Sequence, residues 1–143
     1  MSATFKTKKK KINLNIIQCY APTNESDEGT KEDFYNRLQN ILDKMKEKDV
    51  TILMGDLNAK IGTDNRNYED VMGCEGTGQM NENGEMFADF CSVNRLVIGG
   101  SIFPHKRIHK VTWISPDQRT ENQIDHICIK RKFRRSMQEV RVY

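Results

Sequence analysis

Val50-Thr51-Ile52-Leu53-Met54-Gly55-Asp56-Leu57-Asn58-Ala59-Lys60 is the stretch on which the reading of this chain turns. Residues 50–54 (VTILM) form a short apolar run bounded by Gly55, the pattern of a central strand. Side chains alternate along an extended chain, so Asp56 and Asn58 are expected on one side while Leu57 packs inwards. A carboxylate and an amide would then sit together at the carboxy end of a strand, where the sites of α/β proteins form. Phosphodiester hydrolysis suits that pair. Asp56 would align or deprotonate a water, and the Asn58 amide would donate to a phosphoryl oxygen as charge builds there. An Asx-rich turn closing a strand accounts for the same residues, because Asp and Asn make such turns unaided.

Outward from this stretch the periodicity alternates between strand and helix. Residues 11–20 (KINLNIIQCY) read as a strand entering a buried sheet, closed by the loop signal Ala21-Pro22-Thr23-Asn24. From Thr30 the spacing of Phe34, Leu38, Ile41, Leu42 and Met45 predicts a helix, with Thr30-x-x-Asp33 resembling a capping box. Residues 62–84 are polar and rich in Gly, Asn and Asp, which predicts a long loop. Gly73, Gly76 and Gly78 cluster there without a phosphate-loop fingerprint. Met86, Phe87, Phe90 and Cys91 mark a second helix, capped near Asn83. Residues 96–98, 111–114, 124–129 and 137–142 are expected as strands. Residues 1–143 are expected to form a single domain of layered α/β class.

Composition narrows the partners. With 36% apolar residues the chain can build one core, and it has no run of about eighteen apolar residues that would span a membrane. The amino terminus lacks the apolar stretch of a secretory signal, so a nuclear or cytoplasmic, non-secreted protein is expected. Cys19, Cys74, Cys91 and Cys128 lie far apart and read as reduced thiols. Twenty acidic residues dilute the 23 basic ones to a net charge of +3. The cations nevertheless cluster in three blocks, 7–11 (TKKKK), 105–110 (HKRIHK) and 130–135 (KRKFRR), which together favour a phosphate-rich partner.

Two further segments carry chemistry. Gln18-Cys19-Tyr20-Ala21-Pro22-Thr23-Asn24 places a tyrosine at a strand end, and Asn122-Gln123-Ile124-Asp125-His126-Ile127 sets a carboxylate in an apolar run. Asp125 is expected to be buried there, and a buried aspartate needs a partner, so it should be hydrogen-bonded to a functionally placed group. His126 adjoins Asp125 on a strand and should therefore point away from it, as a core or edge histidine. His105 and His109 lie in a basic stretch without a carboxylate pattern and are not taken as ligands.

Together NIIQCYAPTN, ILMGDLNAKIG, VTW and NQIDHI resemble the endonuclease/exonuclease/phosphatase superfamily, and within it the apurinic-type endonuclease domain of RTE-like non-LTR retrotransposons. The resemblance implies a partial four-layer α/β sandwich, two face-to-face mixed sheets flanked by helices. It implies that Tyr20 contacts the scissile phosphate, Asp56 orients the attacking water, Asn58 stabilises developing charge and Asp125 orients a catalytic histidine. Asn24, Asn83 and Trp113 would lie near the substrate, although a core position also suits Trp113 and helix capping also suits Asn83. The implied activity is Mg2+-dependent hydrolysis of DNA phosphodiester bonds by a monomer, with Mn2+ as a substitute and Asp56 as a metal ligand. On the family pattern the chain is expected to be a central portion lacking the metal-binding Glu and the Ser-Asp-His motif, and so to have little nuclease activity alone. Phosphatase-type hydrolysis within the same superfamily is a rival, as is a non-catalytic fragment binding nucleic acid or protein.

Overall fold

The apolar runs become the interior of a five-stranded mixed sheet in the computed structural model, which describes residues 1–8 and 11–143. Lys9 and Lys10 of the first basic block lie outside the described residues. The strands are β1 (Ser2–Lys6), β2 (Asn13–Tyr20), β3 (Val50–Asp56), β4 (Leu96–Ile98) and β7 (Asp125–Lys130), in the order β1-β2-β3-β7-β4. Among the described residues, only the β2–β3 pair is parallel. β5 (Trp113–Ile114) and β6 (Glu121–Asn122) make a separate two-stranded ribbon.

The helices α1 (Glu28–Asp43) and α2 (Glu82–Val93) close one face of the large sheet. Leu38 and Leu42 of α1 and Phe87 and Cys91 of α2 share a core with Ile17, Leu53 and Cys128, a row of cross-strand partners. Leu57 is fully buried, as expected, although β3 ends at Asp56 and Leu57 is the first residue of the turn that follows. The α/β class is therefore as expected. The helices described here lie on one side of the sheet, and the only second sheet among the described residues is the short ribbon.

Several boundaries differ from the expectation, each for a local reason. α1 begins before Thr30 because Asp27 is its cap, accepting from the Thr30 backbone N–H at 2.9 Å and the Thr30 hydroxyl at 2.7 Å. Asn81, not Asn83, caps α2. Its Oδ1 accepts from Gly84 N–H at 2.7 Å and also from Lys60 N–H at 3.0 Å. β1 carries no alternation signal because all five residues are exposed on a sheet edge. The expected strand at 137–142 does not form. A 3-10 turn over Arg131–Ser136 redirects the chain, and Met137 and Val140 pack where a Gly99 side chain would stand. The long loop carries Val71 and Met72 into the core.

Candidate active site

β2, β3 and β7 end their functional residues in a single row. In the sheet register Tyr20 is the partner of Asp56, and Asp56 is the partner of Asp125. Cross-strand partners share a face, and adjacent strands lie about 4.8 Å apart, so the row spans roughly 10 Å. Tyr20 and Asp125, 105 positions apart in sequence, are thereby brought together by two strand pairings. Tyr20 is 73% exposed and Asp125 is exposed at the rim. The burial expected for Asp125 is corrected, because the residue opens β7 at the sheet end and not inside it.

Gly55 makes the row possible. Its φ of +145° is one that side chains rarely adopt, and a Cβ there would stand 1.9 Å from the Cys19 carbonyl oxygen. β3 then closes in a turn. Asp56 Oδ1 accepts the Asn58 N–H at 2.9 Å, and Asn58 takes φ +47°. Strand alternation thus stops at Asp56, and Asn58 reaches the rim through an Asx turn. Asn58 Nδ2 donates to the Ala21 carbonyl at 2.9 Å, while Ala21 N–H donates to the Asp56 carbonyl at 2.8 Å. These bonds hold the tyrosine loop against the aspartate turn.

Asn83 lies beneath both loops at 3% exposure. Its Nδ2 donates to the Pro22 carbonyl at 3.0 Å and the Asn58 carbonyl at 3.2 Å, and its backbone N–H donates to Asn24 Oδ1 at 3.1 Å. The Asn83 amide nitrogen is therefore spent on loop backbone beside Asn58, and its capping role is corrected. Asn24 is half-buried and presents its side-chain oxygen to Asn83. Trp113 stands on the β5–β6 ribbon at 41% exposure, so the core reading is corrected.

Two residues that sequence reasoning passed over support this rim. The Thr112 hydroxyl accepts the backbone N–H groups of Ile124 at 3.0 Å and Asp125 at 3.1 Å, tying the start of β7 to the ribbon. Lys31 is buried and donates to the Asn24 carbonyl at 2.8 Å and to Glu82 at 2.9 Å, joining α1, the tyrosine loop and α2. Its position one turn before Phe34 and Tyr35, on the inner face of α1, was the available signal.

Electrostatics set the row apart from ordinary surface carboxylates. Burial raises the Asp56 pKa and Asp125 adds to the rise, while the bond from Asn58 N–H opposes it. His126 is buried and points to the helix side, its Nε2 on the Ala59 carbonyl at 2.7 Å and its ring against Phe87. Burial lowers its pKa, so it is neutral and turned away from the row. A cleft of about 500 Å³ opens beside the row, lined by Tyr20, Met54, Asp56, Asp125, His109 and Lys110 among others. The His109 Nδ1 is engaged with the Val142 carbonyl at 2.9 Å.

The chain has the endonuclease/exonuclease/phosphatase fold. It is shared with the endonuclease domain of TRAS1, a telomere-specific non-LTR retrotransposon, at a TM-score of 0.57 and 14% identity over 91% of this chain and 49% of that one. The 3'-5' exonuclease NExo of Neisseria meningitidis shares it at a TM-score of 0.54 and 15% identity, over 85% of this chain and 50% of that one. In sequence the chain is 40% identical over 134 residues to craniofacial development protein 2 of Tragulus javanicus and of Bos taurus, covering 92% of this chain. The chain spans 23% and 22% of the length of those two relatives. No protein-family model matches it.

Proposed function

We propose that this chain carries the tyrosine-and-carboxylate part of a phosphodiesterase centre acting on DNA, in an endonuclease of this superfamily. The observation that supports it most directly is the in-register row Tyr20–Asp56–Asp125 beside the Asn58 turn. Asp56 keeps one carboxylate oxygen free to align a water for in-line attack on phosphorus. Asn58 Nδ2 has a second proton beyond the one given to Ala21, and it and the Tyr20 hydroxyl meet charge on a phosphoryl oxygen. Asn24 and Asn83 serve this reading by fixing the loop, and exposed Trp113 offers a face to the nucleic acid from the ribbon.

The residues present suit Mg2+ or Mn2+ in part. Asp56 and Asp125 are like charges on paired positions, a repulsion that a cation relieves, and Mg2+ is commonly held by one or two carboxylates with waters and substrate phosphate. Among the described residues no group of three His, Cys, Asp or Glu is placed to hold a metal, so Asp56 with Asp125 would hold it weakly. When bound, the ion supplies charge neutralisation at the phosphoryl oxygen. Since His126 faces away and His109 is engaged elsewhere, the row is short of an acid–base imidazole, and turnover by the chain is expected to be slow.

Mn2+ titration followed by water proton relaxation, run beside plasmid nicking, tests the reading. Weak Mn2+ binding that Asp56→Asn removes, with nicking near background, is expected. Equal Mn2+ binding by wild type and Asp56→Asn, with duplex binding indifferent to Tyr20→Ala, would leave the non-catalytic binding reading in its place.

A further inference from the structure

We propose that the pole of the sheet opposite the carboxylate row is a second, separate contact surface for nucleic-acid backbone. Three segments meet there. Lys130 closes β7 and is the register partner of Leu96, and Arg131 N–H donates to the Arg95 carbonyl at 2.8 Å. Lys130 Nζ pairs with Glu47 at 2.8 Å, which brings the 44–48 turn alongside. Arg95 and Lys132 also act on the Glu47 carboxylate, and a cavity of about 310 Å³ lies between the segments, lined by Glu47, Arg95 and Lys130.

Residues 44–48, 95 and 130–135 hold nine of the chain's 23 Lys and Arg. Glu47 is the acid among them, with Asp43 and Asp70 at the margin and Asp49 turned inwards onto Asn13 N–H. Even counting all four of these acids among the chain's 20, the remainder of the molecule is net negative. The modest overall charge thus conceals a polarised molecule. Lys132, Arg134 and Arg135 are exposed on the 3-10 turn and stand in no ion pair among the described residues, and Phe133 is half-buried between them under Lys132. Unpaired cations around an aromatic suit a phosphate backbone with bases free to stack.

Asp125 and Lys130 lie at opposite ends of β7, roughly 17 Å apart. The pole therefore takes a stretch of nucleic acid other than the phosphate at the row, and the proposal holds whether or not the row is hydrolytic. Fluorescence anisotropy of the chain with labelled single-stranded DNA, single-stranded RNA and duplex DNA of one length tests it, across a salt series. Lys132→Gln/Arg134→Gln/Arg135→Gln should weaken binding about tenfold near 0.1 M salt and shrink the salt slope by roughly two to three. Arg66→Gln/Lys106→Gln/Arg119→Gln, which removes equal charge from exposed positions away from this pole, should change it little. The strongest of the three arms identifies the preferred strand. Equal loss in both triple variants, unchanged binding in the first, or equally tight binding of polyglutamate would overturn the proposal. Circular dichroism of each variant checks that it is folded.

Discussion

Asp56 and Asp125 oppose one another as like charges on paired strand positions, an arrangement that costs stability. Asp125→Asn removes one charge at an exposed position while keeping shape and the backbone bond to Thr112. The variant is expected to be as stable as wild type or more so, by about 0.2–1 kcal/mol near neutral pH. Urea melts measure this, and a clear loss of stability would mean that the carboxylate serves the fold. His126 makes a separate prediction about pH. Its folded pKa lies below the ordinary 6.5, so the unfolded chain binds a proton that the folded chain refuses as pH falls. Stability is therefore retained above about 6.5 and lost as pH falls below it toward the folded value. His126→Phe should be less stable at pH 7.5, because the Ala59 carbonyl loses its donor, yet should lose less between pH 7.5 and 5.5 than wild type. An unchanged pH difference in paired melts would show that another group sets it.

The second helix begins where its neighbours dictate, and Gly84 tests that. A glycine-to-alanine change inside a helix ordinarily gains about 1 kcal/mol. Here an added Cβ would stand 1.8 Å from the Lys60 carbonyl oxygen, which lies on the segment just past the Asn58 turn. Gly84→Ala is expected to reverse the usual sign and destabilise by about 2 kcal/mol or more. Asn83→Ala should cost about as much, since the Pro22 and Asn58 carbonyls lose a buried donor. Thermal melts of the two variants read both effects, and a stabilised Gly84→Ala would show that α2 shifts freely. These contacts also explain what could be read in advance. Apolar spacing from Phe34 to Met45 located α1, and the run at 50–54 located β3, because burial repeats with the element's own period. Periodicity does not locate the caps, because Asp27 and Asn81 act from outside the periodic segment. Asn83 looked like a cap because an asparagine near a helix start is usually one, and its burial depends on two loops distant in sequence. Tyr20, Asp56, Asn58 and Asp125 could be singled out by motif, but their register across three strands is a property of pairing that local sequence does not encode.

The sheet as a whole is covered unequally. Its odd rows, such as Ile17–Leu53–Cys128, lie under the helices, whereas the even rows, such as Gln18–Met54–Ile127, face the other way. Over β7 and β4 that second face is shielded by Met137 and Val140, which pack at Gly99. Over β1, β2 and β3 it is open, with Phe5 and Met54 exposed and Leu14, Ile16 and Ile52 half-buried. A parallel pair is normally covered on both faces, and β2–β3 is such a pair with one face bare. The four-layer arrangement expected from the resemblance would lay a second sheet there, about 10 Å away. The isolated chain should therefore bind an apolar dye such as anilinonaphthalene sulfonate while fully folded, on this face and not through partial unfolding. Phe5→Gln/Met54→Gln should reduce the dye signal severalfold. It should change the unfolding free energy measured in urea by no more than about 0.5 kcal/mol, since both side chains already meet solvent. Dye binding that persists in the double variant, or that rises in step with loss of near-ultraviolet circular dichroism, would place the apolar surface in a loosened core and not on the open sheet.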